Sequence, residues 1–471
     1  MERLIKVGKI TPKASKDIKF SKIGIGFEKL DRDVFDPEKA YDALSKIGVK
    51  KARLQSGWQR TEKEKGVYDF EWLDKVVDKI ISIGIEPWLC LCYGNELYTE
   101  AAKTVFGAVG VPPIHSEEEK QAWANYVEAT VDHFKGRIHY YEVWNEPDGQ
   151  WCWKHGPNVD ELIEFTKNTA IACKKADPSC EVLGLAFCHD LAFAEKFIDS
   201  YVLDYIDGIT FHAYSTDENV WSGRVEVVRN ALLRKGRSDI KICQGESGTQ
   251  SRSDGSGALR GGAWTQAKQA KYLLRHLITD LGNNVEFTSY FTCMDMIEAL
   301  NGTVGNRASY LDYGYFGVLG ADFDEEGRSV GTYAPKPSYY ALQNLCSVMA
   351  EKTEICDLPL EATVLESIRS QGYDFDFSNT KHYCFKRKNG SFAVMYWVPK
   401  NILTETYEGT ISLILGDEVK AKDIYLTDLL DGTVYKLTAE MAGKDDILAN
   451  IPVLDSPLML TFGDFFDWKQ D

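Results

Sequence analysis

Glu146 and Glu246 are the residues in this sequence best placed to do chemistry. Glu146 closes an apolar, aromatic stretch at residues 138–148 (IHYYEVWNEPD), and Glu246 follows another at residues 240–245 (IKICQG). A carboxylate at the end of an apolar strand has poor solvent for its charge, which raises its pKa and suits it to donate a proton. Pro147 has no backbone N–H, so the strand ladder stops where the carboxylate begins. Two carboxylates facing each other across a cleft suit cleavage of a glycosidic bond. One protonates the leaving oxygen, while the other attacks the anomeric carbon or activates water. A separation of about 5–5.5 Å goes with retention and about 6.5–9.5 Å with inversion. Sequence spacing leaves the two open.

The elements that must hold them are legible as an alternation. Apolar or β-branched runs occur at residues 24–27, 49–55, 85–93, 138–145, 181–188, 208–214, 240–245 and 285–292. Helical stretches lie between them. Asp36-Pro37 caps one that Gly48 closes, and Leu73, Val76, Val77, Ile80 and Ile81 mark one face of another, ended by Gly84. Trp123, Tyr126, Val127, Thr130, Val131 and Phe134 repeat the pattern before Gly136, and helices are expected over 160–175, 192–201, 225–235 and 265–281. Eight such units predict an α/β fold, a (β/α)₈ TIM barrel over residues 21–352. The alternative, a doubly wound sheet, lacks the glycine-rich fingerprint after its first strand. Beyond Cys356 short alternating runs at 381–387, 391–398, 409–415, 421–428 and 458–462, with turn signals between them, predict a smaller C-terminal antiparallel β-sandwich domain over 353–471. Residues 1–20 are expected to join it through strands at 4–7 and 18–20.

In such a barrel the loops after the strands build the site. That rule selects Arg53, Trp88, Tyr93, Asn145, Glu146, His212, Tyr214, Glu246 and Tyr290. Trp58, Trp88, Trp151 and Trp153 are either sugar-stacking platforms or core packing, and Trp151-Cys-Trp153 is the best subsite candidate. Residues 247–262, rich in glycine and serine, read as a mobile rim, with Arg252 and Arg260 solvated. Taken singly, a glutamate is more often a salt-bridged surface residue, and His212 alone reads equally well as a core histidine.

The chain has 471 residues, 44% hydrophobic and 27% charged, with a formal net charge of −17. That balance argues against nucleic-acid and anionic-membrane partners. No run is long enough to span a membrane, and the first residues carry no apolar leader, so a cytoplasmic location is expected. Eleven cysteines, several inside strands, fit reduced thiols, and Cys90-x-Cys92 reads as packing. With His212 the one histidine convincingly at a strand end, no metal or other cofactor is expected. Homo-oligomerisation is left open.

Trp144-Asn145-Glu146-Pro147 resembles the acid/base motif of clan A glycoside hydrolases, retaining (β/α)₈ enzymes. Arg53, His212-Ala213-Tyr214 and Gly245-Glu246-Ser247 match in the clan's order, and the layout is most similar to family thirty-nine β-xylosidases. The resemblance implies a carbohydrate substrate, a small oligosaccharide or glycoside, cleaved by double displacement. It makes Glu146 the acid/base and Glu246 the nucleophile. Arg53 and Tyr214 would hold Glu246 ionised, Asn145 would donate to the sugar 2-hydroxyl, and His212 would orient a hydroxyl or the nucleophile. Tyr290-Phe291 stands where the clan often has a tryptophan flooring the first subsite, a place Trp264 is available to fill. The competing readings are a non-catalytic carbohydrate-binding barrel and a metal-dependent barrel hydrolase or isomerase.

Overall fold

Eight short parallel strands close into a barrel: β1 Ile23–Gly26, β2 Lys51–Gln55, β3 Glu86–Leu91, β4 Tyr140–Val143, β5 Glu181–Phe187, β6 Gly208–His212, β7 Lys241–Ser247 and β8 Thr288–Tyr290. Gly24 pairs with Lys51 on one side and Ser289 on the other, so β1 is the seam that shuts the ring. The computed structural model describes residues 4–363, 380–442 and 446–470. Each strand overlaps one of the eight apolar runs, because a parallel strand walled by helices outside and side chains inside is dry on both faces, but β1 starts one residue early at Ile23 and β7 runs on through Glu246 to Ser247.

Nine helices among the described residues complete the ring and its extension: α1 Tyr41–Lys46, α2 Trp58–Thr61, α3 Glu71–Ser82, α4 Glu117–His133, α5 Val159–Ala176, α6 Leu191–Asp199, α7 Glu218–Arg234, α8 Gln266–Gly282 and α9 Pro337–Val348. On α3, Leu73, Val76, Val77 and Ile80 are buried, but Ile81, read as part of that face, is 39% exposed. At about 100° per residue Leu73, Val76, Val77 and Ile80 fill one arc of the helix, and Ile81 falls just beyond its edge. A reciprocal capping box, Ser116 with Glu119, starts α4. Helix α7 begins seven residues before its expected start, with the Asp217 side chain capping Asn219. The connection from β8 to α9 carries two small hairpins, Met296–Ile297 with Tyr313–Gly314 and Leu319–Phe323 with Ser329–Pro335.

The remaining strands make two antiparallel sheets. The larger has the order Glu354–Ile355, Lys381–Lys386, Phe392–Trp397, Leu458–Phe462, Ile424–Asp428, Thr433–Lys436, Ile5–Ile10 and Trp468–Gln470, and the smaller is Leu360–Thr363, Glu408–Leu415 and Ile447–Leu454. Phe392–Trp397 is buried throughout because both faces are covered. Ala393, Met395 and Trp397 pack in the barrel's core, while Phe392, Val394 and Tyr396 pack with Ile411, Leu413 and Ile451 of the smaller sheet. Ile5–Ile10 joins this sheet, but residues 18–20 form no strand, and Ile18 instead packs in the barrel's core. Trp397 Nε1 donates to Glu218 at 3.0 Å and Arg275 donates to the Lys400 carbonyl at 3.0 Å, joining barrel to sandwich.

Candidate active site

Arg53, on β2, points into the barrel with no exposed side-chain surface. A dry guanidinium must find its counter-charges in the protein. Nε donates to Glu142 at 2.8 Å, Nη2 to Asn145 at 2.9 Å, and Nη1 to Glu246 at 2.8 Å, with Glu28 3.5 Å away. Burial opposes the charge, yet Glu142, Glu246 and Glu28 together hold the Arg53 pKa well above its ordinary value. Glu142, inside β4, also accepts from Thr210 at 2.6 Å. Burial, with the charge of Glu246 adding and Arg53 opposing, pushes Glu28 up to about 8.

After β4 the backbone takes two left-handed residues, Trp144 at φ 66° and Glu146 at φ 44°. Such residues cost on the order of 1–3 kcal/mol each and persist only where the surroundings impose them. Here Trp144 Nε1 donates to the Cys152 carbonyl at 2.7 Å, and the Glu146 amide to that of Ala186 at 3.1 Å. The Asp148 carboxylate then accepts the amides of Cys188, His189 and Asp190 at 2.8, 2.8 and 2.9 Å, clasping this loop to the one after β5. Glu146 is thereby turned inward. His212 Nδ1 lies 2.8 Å from its Oε1, and Trp151 Nε1 donates to its Oε2. Burial raises the Glu146 pKa and the Asp148 charge adds to it, against hydrogen bonds from Trp151 and Cys188.

Burial pushes His212 down to about 4, so the imidazole is neutral at pH 7. Gly245 makes room for it: a Cβ there would stand 3.2 Å from both His212 Nε2 and Glu142 Oε1. Opposite, Glu246 accepts from Arg53 on Oε2 and from Tyr214 on Oε1 at 2.5 Å. Burial, then the charge of Glu246, pushes the Tyr214 phenol well up, so it stays a donor. Facing atoms of Glu146, His212 and Glu246 lie within 4.8 Å of one another. That trio has the donor set of a cation site. However, Arg53, 2.8 Å from Glu246, already supplies the positive charge a metal would bring, and its presence repels one.

The structure brings Arg53, Asn145, Glu146, Trp151, His212, Tyr214 and Glu246 together. Three expected contacts are corrected. Trp88 is fully buried with Tyr140, Leu183, Cys243 and Phe287, plugging the barrel's interior below Arg53, whose guanidinium sits 5.6 Å from its ring. Trp153 is fully buried against Trp144 and Phe165, its N–H turned to Glu161 at 3.2 Å. Tyr290 is fully buried, with Tyr272 and Gln269 of α8 near its phenol. Trp58 likewise packs among Tyr98, Trp123 and Tyr126, and Trp264 against Tyr272, away from the carboxylates. Tyr93 stands behind the site, its hydroxyl 3.7 Å from Cys152 Sγ, which itself faces Asn145 Nδ2 at 3.3 Å. The rim at 247–262 is tied down: Gln269 donates to the carbonyls of Thr249 and Phe316, and Gln250 accepts from the Tyr315 amide. Arg252 pairs with Asp254 and Arg260 is exposed.

Three contributors escaped the sequence. Glu142 left one usable signal, a charge inside an apolar strand. Lys29 and Glu298 left none. Lys29 Nζ stands 3.5 Å from Glu298 and 5.0 Å over the Phe291 ring, and Phe291 packs on Phe316, which meets Tyr214. Burial raises the Glu298 pKa, with Lys29 opposing and Glu246 adding, which places this pair beside the nearer carboxylate.

Residues 54–398 match the model of glycosyl hydrolases family 39. The chain is 25% identical over 304 residues to a beta-xylosidase of Caldicellulosiruptor saccharolyticus, covering 61% of this chain and 58% of the relative. It is 27% identical over 171 residues to a beta-xylosidase of Geobacillus stearothermophilus, covering 32% of each. The chain thus spans little more than half, or a third, of the relatives it matches. Among solved structures, a family 39 glycoside hydrolase from Bacteroides cellulosilyticus WH2 superposes with a TM-score of 0.65 at 17% identity, covering 94% of this chain and 80% of that one. A monomeric beta-xylosidase from Caulobacter crescentus CB15 gives 0.59 at 16% identity, with 97% and 98% covered.

Proposed function

Because the chain belongs to family 39 of the glycosyl hydrolases, we propose that it is a retaining glycosidase acting on small oligosaccharides or glycosides, with Glu246 as nucleophile and Glu146 as acid/base. The observation that carries this reading is the facing carboxylate pair, within 4.8 Å and in contrasting surroundings. A gap of that size has room for an anomeric carbon between the two groups but not for an interposed water, which favours retention over inversion. Glu246 meets two donors suited to a carboxylate, while burial favours the protonated form of Glu146.

In the first step a Glu246 oxygen bonds to the anomeric carbon as the bond to the leaving oxygen breaks, and Glu146 gives that oxygen its proton. Esterified Glu246 no longer carries charge, so Glu146 loses a neighbour that favoured its neutral form and takes a proton from water. The water oxygen attacks the same carbon, and the ester bond breaks. Arg53 fixes Asn145 with Oδ1 as acceptor; one hydrogen of its NH₂ turns to Cys152 Sγ, which leaves the other to donate to the sugar 2-hydroxyl. Trp151, beside the acid, meets the leaving group. Of the sugars, β-xylosides are the first to test, since both sequence relatives are beta-xylosidases. Eleven free cysteines support a reducing, cytoplasmic setting.

Nitrophenyl glycosides assayed with the parent and with Glu146→Gln and Glu246→Gln test the reading. Loss of the acid should lower the rate about 10²–10⁴-fold for leaving groups that need a proton. Loss of the nucleophile should abolish turnover, and azide should restore cleavage in Glu246→Gly with inverted product. No cleavage of any glycoside, or a fully active Glu246 variant, rejects the assignment in favour of a binding protein or a different nucleophile.

A further inference from the structure

Both oxygens of the Glu146 carboxyl are occupied: Oε1 faces His212 Nδ1, and Oε2 accepts the indole N–H of Trp151. An indole N–H can only donate, so Oε2 must be bare while the indole caps it, and a proton on Glu146 could then sit only on Oε1, facing His212. The acid that must carry a proton toward a leaving group is therefore held by a contact suited to its ionised form. Trp151 is also the part of its loop open to solvent. Cys152 and Trp153 beside it are fully buried, whereas Trp151 is half-buried, with its ring 5.5 Å from that of the exposed His189. A tight turn delivers it, with the amides of Cys152 and Trp153 both donating to the Gly149 carbonyl. The indole lies directly over Gly149, where an added Cβ would come within 2.3 Å of Trp151 Cε2 and Cζ2.

We propose that Trp151 is a two-position residue: its indole N–H keeps Glu146 Oε2 bare and favours the proton-accepting form, and the leaving-group oxygen displaces it when substrate binds. This rests on the acid/base role given to Glu146 above. In the empty enzyme and the glycosyl-enzyme the indole caps Oε2. In the substrate complex the glycosidic oxygen takes that position, Glu146 carries there a proton taken from solvent, and the displaced ring lies against the leaving group. In its capping position Trp151 touches no substrate atom and acts through Glu146 as a positioning residue.

The other titratable groups around Glu146 stay fixed in this exchange. His212 and Glu246 face it from β6 and β7, Arg53 from β2, and Asp148, Cys188 and Cys152 from the adjoining loops. Arg224 and Glu298 add charges farther off. Removing the indole therefore removes a contact that favours the charged form, and the Glu146 pKa must rise.

Trp151→Phe keeps a ring without the donor, and Gly149→Ala keeps the donor but forces the ring off its seat. In both, the alkaline limb of kcat/KM, which reports protonated Glu146 in the free enzyme, should move to higher pH by about one unit. With a dinitrophenyl glycoside, whose departure needs no proton, kcat is limited by the second step, and its acid limb should move the same way. Limbs unmoved in both variants, whatever the change in kcat, would overturn the proposal and leave Trp151 as packing. A readout independent of turnover is the Trp151 indole N–H resonance in protein labelled at tryptophan nitrogen, assigned by its loss in Trp151→Phe. It should titrate in the parent and not in Glu146→Gln. A resonance that titrates in an enzyme that cleaves no glycoside would sink the proposed function and keep the contact. One that fails to titrate sinks the contact itself.

Discussion

Arg53 reaches partners 25, 89, 92 and 193 positions away in the chain, and that span explains which site residues could be read beforehand. Glu146 and Glu246 were legible because each ends an apolar strand, a local signature. Glu142 was not, because its reason for being buried is a guanidinium that only the closed barrel brings to it. Glu28 also yields a prediction. Its carboxyl moves from an ordinary value of 4.5 to about 8 on folding. Between those values the unfolded chain has released a proton that the folded chain keeps. Stability therefore falls as pH rises through that window and is level above it. Glu28→Gln removes the slope, so its advantage over the parent should grow from about pH 5 to about pH 8, measured by denaturant unfolding at both. An equal difference at the two pH values would place the proton on another group.

Among the elements, all eight barrel strands were found from apolar runs, and the long amphipathic helices from their periodicity. Boundaries were poorer: β8 is Thr288–Tyr290 inside an expected 285–292, because the flanking residues belong to loops that pack equally well. Five strands of the two antiparallel sheets, Glu354–Ile355, Leu360–Thr363, Thr433–Lys436, Ile447–Leu454 and Trp468–Gln470, were missed because they are short or carry polar or proline letters that resemble loops. The tryptophans show a further limit. Trp88 and Trp151 have equal stacking capacity, but barrel depth, not residue type, decides which meets solvent. Helix α4 offers a clean test at this scale. Ser116→Ala deletes the acceptor for the Glu119 amide and should lower stability by about 1 kcal/mol. The helix end lies outside the catalytic cluster, so kcat should not change. Loss of activity without loss of stability would mean the cap does something other than hold the helix.

For the whole molecule, one hydrophobic core runs from the barrel into the larger sheet, taking in Phe385, Met395, Trp397 and Met459 along with the strands of the ring. Two layers that share a core should unfold together. Calorimetry on the full chain should show a single transition, whereas two resolved transitions would make the sandwich an independent unit. A chain stopped at residue 352 would bare the surface that Ala393, Met395 and Trp397 now cover, and should be recovered mostly as aggregate.

The strand Ile5–Ile10 belongs to that sheet, though it precedes the entire barrel in the chain. Ile5 pairs with Lys436 and Gly8 with Gln470. On a ribosome adding about 5–20 residues per second, it therefore waits about 20–90 seconds before its partners exist. During that wait it is an unpaired edge, the kind of segment that joins the wrong neighbour. Its two lysines, Lys6 and Lys9, give the waiting strand a charge that discourages pairing with another copy of itself. Translation speed, as much as sequence, then bears on how much of this protein a cell obtains.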